Sequence, residues 1–419
     1  MKILVVGSGA REHTITWKLA QSPKAYELYA APGNAGMAKV AKLLDIKAED
    51  NAGLLKAARD LKIDLTVIGS EGPLANGIVD YFEKNGMAVF GPTQKAAEIE
   101  SSKVFSSELM VKHGIPSAGY AAFNDFSQAS AYLQTQKPPI VLKADGLAAG
   151  KGVIIAETLE DAQESLKSMM QSGTFGSSGE RVVIQEYLNG REMSYFVFTD
   201  GQNVAPTVPA CDYKRIYDGD KGPNTGGMGS YTPPPFYNAV MGNIVMETIM
   251  RPTILALADE GRPYKGTLYG GLMISNNVPK VIEFNARLGD PETQVVLPRL
   301  KTDLVDIILA VLENRLDKIN IEFDNNACVG VVIASGGYPG KYFTGYPITG
   351  LDDLDKDIIV FHAGTKTGTN GEVVTNGGRV LTVVAKGKDL AEARQKVYKN
   401  ISRIKFKDCY YRKDIAEFK

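Results

Sequence analysis

The first hundred residues alternate short apolar runs with segments of helical spacing, and this alternation constrains the fold more than any other feature of the chain. Four apolar runs end in turns that contain glycine or proline, and they are Ile3–Val6, Leu28–Ala31, Leu65–Ile68 and Ala88–Phe90. Helical segments such as Leu54–Leu61 and Ile78–Lys84 lie between the runs. Such alternation predicts a parallel sheet with helices on its faces.

Three turns at the carboxyl ends of these predicted strands are candidate ligand sites, because ligands of open parallel sheets bind beyond those ends. They are Gly7–Arg11 (GSGAR), Pro32–Gly36 (PGNAG) and Gly69–Leu74 (GSEGPL). In the first turn, Glu12 occupies the position where a dinucleotide-binding fingerprint requires its third glycine, which argues against a nicotinamide site. Free amide groups at the start of the next helix, together with Arg11, suit a phosphate monoester instead.

Composition excludes several classes of protein. The chain has 419 residues, enough for about three domains with separate cores. Its 47 lysines and arginines balance 48 acidic residues, so no general electrostatic attraction to nucleic acid exists. The three cysteines are far apart and match neither a disulfide framework nor a metal motif. The most apolar helix candidate, Leu304–Leu312, is too short to span a bilayer, and we predict a cytoplasmic protein.

A second candidate site follows the run Lys280–Phe284 (KVIEF), which is typical of a strand. Side chains alternate along a strand, so Glu283 and Asn285 point to the same side and Arg287 lies just beyond the strand end. Carboxylate and amide oxygens suit Mg²⁺, which usually shares its ligands with nucleotide phosphates. A guanidinium suits a phosphoryl group, because its planar fork matches the phosphate oxygens. The three residues together predict nucleotide-driven chemistry.

The segment Ile140–Glu157 (IVLKADGLAAGKGVIIAE) predicts two strands joined by a glycine-rich loop. The loop residues are Gly146, Gly150, Lys151 and Gly152. Their spacing differs from that of a Walker A loop, so we expect a lid that folds over phosphates. Lys143, on the strand before the loop, would neutralise the phosphate charge. A long helical stretch from Thr93 to His113, with Lys103 inside it, precedes this segment.

Residues farther along the chain extend the predicted nucleotide site. The apolar run Val182–Ile184 leads into Glu186–Leu188, which we interpret as a hinge whose backbone groups pair with an adenine edge. Glu192 follows at a spacing able to reach the ribose hydroxyls. The glycine- and proline-rich stretch Asp212–Pro235 has no periodicity and is predicted to be a long functional loop.

The last hundred residues predict a small α+β module. Its strands are predicted at Cys328–Ala334, Ile358–Phe361 and Val380–Ala385, and an amphipathic helix at Leu390–Ile401. A further helix, Leu304–Ile319, has apolar residues at helical spacing and is predicted to lie in the core.

Together these motifs resemble the ATP-grasp enzymes, and within them the phosphoribosylamine–glycine ligase family. RLGDPETQVV is similar to the signature of that family, DYKRIYDGDKGPNTGGMGSYTP to its substrate loop and LKADGLAAGKGV to its lid. GSGAREH, PGNAG and GSEGPLANG are similar to its amino-terminal turns, and the likeness extends over the whole chain. Six motifs in the order of the family make a chance match implausible.

The resemblance implies an α/β and α+β multidomain fold. Residues 1–100 would form a Rossmann-like parallel-sheet domain, residues 101–323 an ATP-grasp domain with a mobile lid at 118–190, and residues 324–419 a small C-terminal α+β domain. The implied reaction joins 5-phosphoribosylamine to glycine in purine biosynthesis, through glycyl phosphate, with ATP as co-substrate and Mg²⁺ or Mn²⁺ as cofactor. The implied partners are these small molecules, without nucleic acid or membrane, and the implied assembly is a monomer or weak homodimer.

The resemblance also implies roles for individual residues. The ATP site would comprise Lys103, Lys143, Gly146, Gly150, Lys151, Gly152, Glu186, Tyr187, Leu188 and Glu192. The metal ligands would be Glu283 and Asn285. The substrate sites would comprise Gly9, Arg11, Asn34, Glu71, Asp212, Lys214, Gly289, Asp290, Pro291 and Glu292. The catalytic residues would be Arg287, Asp212 and Lys143.

Two alternatives remain open. Another ATP-grasp carboxylate–amine ligase would share the lid and the metal site but would differ in the Asp212–Pro235 stretch. A non-enzymatic nucleotide sensor would keep Lys143 and Glu192 but need not retain the metal-binding pair together with Arg287. Gly271 stands near the place where several other ATP-grasp enzymes have a second acidic metal ligand.

Overall fold

The structure is a computed structural model that describes residues 1–147, 152–172 and 179–418. Its strands are β1 (Lys2–Gly7), β2 (Glu27–Pro32), β3 (Lys42–Leu43), β4 (Leu65–Ile68), β5 (Val89–Phe90), β6 (Tyr120–Phe123), β7 (Ile140–Ala144), β8 (Val153–Ala156), β9 (Val182–Glu186), β10 (Arg191–Thr199), β11 (Val204–Pro206), β12 (Cys211–Asp212), β13 (Arg215–Tyr217), β14 (Lys221–Asn224), β15 (Gly229–Thr232), β16 (Gly266–Ser275), β17 (Val278–Asn285), β18 (Ala327–Ala334), β19 (Ile358–His362), β20 (Thr365–Thr367), β21 (Val373–Thr375) and β22 (Arg379–Gly387). Its α-helices are α1 (Ala10–Leu19), α2 (Asn51–Asp60), α3 (Glu71–Ala75), α4 (Ile78–Lys84), α5 (Gln94–Ser101), α6 (Lys103–Lys112), α7 (Phe126–Leu133), α8 (Leu159–Gln171), α9 (Ala239–Val245), α10 (Arg251–Asp259), α11 (Thr293–Val296), α12 (Leu304–Leu312) and α13 (Leu390–Ile401).

The first hundred residues form a parallel sheet in the order β3-β2-β1-β4-β5. The central strands β1 and β4 are buried almost throughout, which explains why they are continuous apolar runs rather than alternating ones. The parallel sheet predicted from the alternation is therefore confirmed. The three candidate turns follow β1, β2 and β4, so neighbouring strands bring them to the same edge of the sheet.

The helical stretch predicted from Thr93 to His113 is two helices, α5 and α6, which meet at Ser102. The backbone of Ser102 is extended (φ −128°, ψ 112°), and its side chain accepts a hydrogen bond from the Phe105 amide at 3.1 Å. A serine that caps a helix in this way competes with continuation of the preceding helix. The prediction of one helix was wrong because the capping hydrogen bond of Ser102 starts a new helix. Lys103 is consequently the first residue of α6.

Strands β6 to β9 form a separate antiparallel sheet in the order β6-β9-β7-β8. Helices α7 and α8 cover it, and Leu133, Leu142 and Leu166 are among the buried residues of its core. The two strands predicted in Ile140–Glu157 are confirmed, since β7 and β8 pair antiparallel on either side of the glycine-rich loop.

A third sheet, in the order β11-β10-β16-β17, is formed by strands between Arg191 and Asn285. One continuous helical segment, Ala239–Asp259, packs against it through a core that includes Val245, Ile249 and Leu272. This segment of 21 residues has a mean hydropathy of 1.2, long and apolar enough to cross a membrane by composition alone. Its 56% burial inside the fold is typical of a core helix. The most apolar helix predicted from the sequence, Leu304–Leu312, is shorter, and this longer segment was not predicted.

The fourth sheet, in the order β12-β15-β18-β22-β19, joins strands from the middle of the chain to strands of the C-terminal module. The strands predicted in this module are confirmed, and α13 has the predicted bounds. The prediction that Asp212–Pro235 is one long loop was wrong, because half of its residues belong to the short strands β12 to β15. The predicted helix Leu304–Ile319 is also too long, since α12 ends at Leu312.

The C-terminal tail is fastened to the β13–β14 hairpin by Arg412, whose side chain is fully buried. Its guanidinium pairs with Asp414 at 2.6 Å and with Asp220 at 2.8 Å, and donates to the Arg215 carbonyl at 2.9 Å. It also lies 4.7 Å from the ring centroid of Tyr213, within the range of a cation–π interaction. These contacts hold the backbone on both sides of Lys214.

We predict that Arg412→Met lowers the free energy of unfolding by about 3 kcal/mol, because it leaves two carboxylates and a carbonyl without their buried partner. Thermal and urea unfolding followed by circular dichroism will measure the change. Arg403→Met is the matched control, since Arg403 also pairs with a carboxylate and a carbonyl, of Asp355 and Asp353, but at the surface. The control should cost about 0–1 kcal/mol, and equal losses for the two variants would contradict the prediction.

Candidate active site

A cleft lies between α6, the strand β7 of the small antiparallel sheet and the strand β17. Lys103, Lys143, Gln185 and Glu283 are among the residues that line it. Lys143 is almost completely buried, and its Nζ donates to the Ile282 carbonyl at 2.8 Å. Burial lowers the pKa of Lys143 to about 8. Two predicted nucleotide-binding lysines and one predicted metal ligand, far apart in sequence, are therefore neighbours in the fold.

The carboxylate of Glu283 has no hydrogen-bond or ion-pair partner in the part of the chain that the structure describes. Burial would raise its pKa, but Lys103, Lys143, Lys214 and Arg287 together hold that pKa below the usual value. Asn285 lies two residues on in the same strand, and its Oδ1 receives only a long contact of 3.5 Å from Arg287. Glu283 and Asn285 thus offer two oxygens to a metal ion.

These two oxygens fit a magnesium ion that is bound mainly through nucleotide phosphates. Among the described residues, no group of three or more His, Cys, Asp or Glu side chains could hold a metal ion by itself. Gly271 lies directly opposite Glu283 in the pairing of β16 with β17, so the neighbouring strand supplies no second carboxylate at this point. Mg²⁺ commonly binds one or two protein oxygens and completes its shell with phosphates and water.

Arg287 is held between two carboxylates. Its guanidinium lies 3.2 Å from Glu71 and 2.8 Å from Glu100. Arg287, with Arg11, keeps the pKa of Glu71 well below its usual range. Glu100 also accepts from the Ala286 amide at 2.7 Å, and burial raises the pKa of this carboxyl. The position of the Arg287 fork is consequently fixed before any ligand binds.

The first amino-terminal turn already contains an anion. Glu12 folds back so that its carboxylate accepts from the Gly9 amide at 2.6 Å and from Arg11 Nε at 2.6 Å. A Cβ atom at Gly7 or at Gly69 would lie 2.5 or 2.4 Å from Glu12 Cγ, which explains the glycines around this side chain. Glu12, which argues against a dinucleotide fingerprint, therefore also accepts the hydrogen bond of the Gly9 amide, one of the amides at this turn that were predicted to bind a phosphate.

Asn34 ties the second turn to the C-terminal module. Its Nδ2 donates to the Ser8 and His362 carbonyls, both at 2.8 Å, and its Oδ1 accepts from the Gly36 and Met37 amides. Beside it, His13 Nδ1 accepts from the His362 amide at 2.8 Å. Burial lowers the pKa of His13 to about 3 and that of His362 to about 4, so both rings are neutral at pH 7. These contacts organise the turn.

Asp212, Lys214 and Glu192 form a cluster near Glu283, whose pKa is affected by Lys214. Lys214 Nζ lies 3.3 Å from Asp212 and also forms an ion pair with Glu192. Burial raises the pKa of Asp212 to about 7, against the effect of Lys214 and with the help of Glu292 and Glu192. The cluster brings two predicted substrate residues together with the residue predicted to contact ribose.

The Gly289–Glu292 turn is fixed by three different parts of the chain. Glu292 accepts from Ser194 Oγ at 2.7 Å, and the Pro291 carbonyl accepts from Ser230 Oγ at 2.7 Å. Asp290 pairs with Arg379 Nη2 at 3.0 Å and accepts from Gln294 at 2.8 Å. Asp290 also faces the first turn, since a Cβ atom at Gly9 would lie 3.5 Å from its Oδ2.

The predicted adenine hinge joins two sheets. Glu186 ends β9, while Tyr187 and Leu188 lie in the short connection to β10. The Glu186 carboxylate pairs with Lys280 at 3.1 Å, and the backbone amide of Glu186 donates to the Gly119 carbonyl at 2.9 Å. The Tyr187 side chain is exposed, so it is available to a ligand.

The structure describes the predicted lid loop only at its two ends. Gly146 has a positive φ of 139°, and the Gly152 carbonyl accepts from the Ala144 amide at 2.8 Å. Gly150 and Lys151 lie outside the described residues. The predicted phosphate contacts of these four residues stay predictions.

Sequence reasoning missed Glu100, Ser194 and Arg379, although each one holds a predicted site residue. A signal for Glu100 was available, because it shares the apolar face of α5 with Ala96 and Ala97. A carboxylate on a buried helix face usually has a charged partner. For Ser194 and Arg379 we find no local signal, since their partners lie 98 and 89 residues away.

Family models for phosphoribosylglycinamide synthetase match most of the chain. The N domain matches residues 1–100, the ATP-grasp (A) domain residues 101–293 and the C domain residues 328–418. A phosphoribosylamine–glycine ligase of Halalkalibacterium halodurans is 50% identical over 416 residues, which cover 99% of this chain and 96% of the relative. One of Escherichia coli O157:H7 is 48% identical, with 99% of this chain and 98% of the relative covered.

Solved structures agree with this assignment. The phosphoribosylamine–glycine ligase of Thermotoga maritima has a TM-score of 0.87 and 33% identity, and the match covers 99% of this chain and 100% of that one. The biotin carboxylase domain of a Hydrogenobacter thermophilus 2-oxoglutarate carboxylase has a TM-score of 0.74 at 16% identity, with 98% and 91% covered, and so shares the fold. From its sequence and its architecture, the chain belongs to the phosphoribosylglycinamide synthetase family of ATP-grasp enzymes.

Proposed function

We propose that this chain catalyses the ATP-dependent ligation of 5-phosphoribosylamine and glycine to glycinamide ribonucleotide, with ADP and phosphate as the other products. Its relatives from H. halodurans and E. coli carry the name of this reaction and match 99% of the chain. The structural observation that carries the proposal is the Glu283 carboxylate, which is unpartnered among the described residues although four cationic side chains act on it. Such a carboxylate would suit a divalent metal ion, which would neutralise phosphate charge there.

The first half of the reaction phosphorylates glycine, because a free carboxylate is a poor electrophile. Lys103 and Lys143 would bind the triphosphate in the cleft that they line with Glu283. Mg²⁺ or Mn²⁺, held by Glu283 and Asn285, would supply charge neutralisation when bound. Arg287, fixed by its two carboxylates, would stabilise the transferring phosphoryl group.

ATP recognition would use the hinge and the lid. The backbone of Glu186, Tyr187 and Leu188 would meet the adenine edge, and Glu192 would bind the ribose after exchanging its contact with Lys214. The glycine-rich loop from Gly146 to Gly152 would close over the phosphates and exclude water from glycyl phosphate.

In the second half, the amine of 5-phosphoribosylamine attacks the acyl carbon of glycyl phosphate. The carbon–oxygen bond to phosphate breaks, and the amine nitrogen loses a proton as the amide forms. Asp212 would accept that proton, since a base with a pKa of about 7 is matched to neutral pH. Lys214, 3.3 Å from Asp212, would keep the carboxylate in position.

The phosphoribosyl end would lie beside the turns that contain Gly9, Asn34 and Glu71. The Gly289–Glu292 turn would hold glycine between the metal site and Asp212. The domain division at residues 100 and 323, a monomeric or weakly dimeric assembly and a cytoplasmic location stay predictions.

The proposed reaction is tested by ADP release from Mg-ATP, glycine and 5-phosphoribosylamine generated in the assay, with each substrate omitted in turn. Release that requires both glycine and the amine supports the ligase. Release with bicarbonate or formate in place of glycine would indicate another ATP-grasp ligase. Binding of ATP without release under any combination would indicate a nucleotide sensor.

We predict that Glu283→Gln lowers kcat by about 100-fold or more, because even residues that only orient a metal ligand affect activity by about 10- to 100-fold. Activity measured against Mg²⁺ and Mn²⁺ concentration should show a higher metal requirement, while ATP binding measured by calorimetry persists. Glu322→Gln is the control, because this carboxylate pairs with Lys301 at the exposed surface. Unchanged kcat in the Glu283 variant would remove the metal assignment.

We predict that kcat/KM for glycine falls as pH decreases through about 7, because the proposed base is active only when Asp212 is deprotonated. Asp212→Asn should abolish this acid limb and leave a low, pH-independent rate. Glu192→Gln should move the limb to lower pH, since the Glu192 charge is one of the influences that raise the pKa of Asp212. A limb that is identical in the wild-type and Glu192→Gln enzymes at saturating ATP would assign the titration to another group.

A further inference from the structure

Arg379 begins β22 in the C-terminal module, yet its guanidinium reaches two segments of the proposed substrate site. Nη1 donates to the Asp290 carbonyl at 3.0 Å and to the Gly226 carbonyl, and Nη2 lies 3.0 Å from Asp290 Oδ2. Asp290 belongs to the turn that follows the metal-binding strand, and Gly226 to the segment between β14 and β15. The three contacts orient the guanidinium at the junction of the two segments.

Part of this guanidinium is free for a ligand. The Nε–H of Arg379 has no hydrogen-bond partner among the described residues, and the side chain is 21% exposed. The guanidinium can lie this close to the backbone of residue 226 only because that residue is glycine. A Cβ atom there would lie 2.9 Å from Arg379 Cζ and 3.2 Å from Nε.

Three groups that were predicted to meet a substrate around the first turn, the Arg11 side chain, the Gly9 amide and the Asn34 side chain, already have partners within the fold. Arg11 is buried and pairs with Glu12 at 2.6 Å and Glu71 at 3.2 Å. The Gly9 amide donates to Glu12, and both ends of the Asn34 amide group are used within the fold. An anionic substrate group beside this turn therefore needs a cation from elsewhere in the molecule.

Arg379 meets that need through its position. Its guanidinium pairs with Asp290 Oδ2, and the same oxygen lies 3.5 Å from the place that a Cβ atom of Gly9 would occupy. The Asp290 carboxylate therefore lies between the guanidinium and the first turn. Glycine, by contrast, must present its carboxylate to the γ-phosphate, beside Glu283 and Arg287. The anion next to Arg379 is then the phosphate ester of the amine substrate, whose oxygens match a guanidinium fork.

We propose that Arg379 binds the 5-phosphate of 5-phosphoribosylamine and that Asp290 holds its guanidinium in position. This inference rests on the proposed function, since it names a contact to one of the proposed substrates. It makes the C-terminal module a part of the substrate site.

Arg379→Met should raise KM for 5-phosphoribosylamine by at least about tenfold, the typical effect of losing a charge-assisted hydrogen bond. KM for ATP and for glycine should change by less than about twofold. Arg379→Lys should lie between the variant and the wild type, because it keeps the charge but loses the fork. Arg403→Met, in the same module, is the control and should leave all three constants unchanged.

A second measurement needs no turnover. Ribose 5-phosphate, as an unreactive probe, should bind the wild type more tightly than ribose does, and Arg379→Met should remove that difference in calorimetry. Gly226→Ala, which pushes the guanidinium away without removing it, should weaken binding of the probe in the same direction.

The outcomes separate this inference from the proposed reaction. No ADP release by the wild type with all substrates would contradict the ligase assignment, whatever the probe shows. Normal wild-type turnover with an unchanged KM for the amine in Arg379→Met would contradict the role of Arg379 alone. Equal increases in all three KM values would show that Arg379 only positions the Asp290 turn, and would also overturn the proposal.

Discussion

The ion pairs of Arg287 with Glu71 and Glu100 are the interaction on which the rest of the site depends. Glu71 begins a helix of the amino-terminal sheet domain, Glu100 lies near the end of α5, and Arg287 follows the metal-binding strand. A buried charge is costly unless it is paired, so removing either Arg287 or Glu100 would leave the other charge in the interior without its ion-pair partner. The network therefore fixes the amino-terminal turns against the cleft that Lys143 and Glu283 line. It also sets the direction of a guanidinium that would meet the transferring phosphoryl group.

The distribution of charge around this network follows a consistent rule. Carboxylates that organise the fold, such as Glu12, Glu71 and Glu100, have arginine or amide partners. Glu283 lacks such a partner among the described residues, although nearby cations keep its pKa low. A carboxylate that is ionised but unpaired is prepared for a metal ion. Asp212 differs again, since burial brings its pKa close to neutral pH and suits it to proton transfer rather than to metal binding.

Much of the fold could be predicted from the sequence, and the errors have specific physical causes. The parallel strands and the β7–β8 hairpin are short apolar runs, and α13 has clear helical periodicity, so the local sequence was enough to predict them. The break at Ser102 depends on one capping hydrogen bond, which apolar spacing does not reveal. Strands β12 and β15 are short, and they form because β12 pairs with β15 and β15 pairs with β18, about a hundred residues later. No local pattern in Asp212–Pro235 indicates that pairing.

The type of chemistry could be predicted from local sequence, because Glu283, Asn285 and Arg287 stand at spacings fixed by strand geometry and accompany turns that resemble those of one family. Which charged side chains are paired and which are free could not be predicted in this way and became clear from the fold. Glu12 accepts a hydrogen bond from the Gly9 amide, which was predicted to be free for a phosphate. Arg379 contacts Asp290, which is 89 residues away in the sequence. The physical reason is that periodicity and spacing are local properties of the chain. Charge pairing and burial depend instead on which distant segments the fold brings into contact.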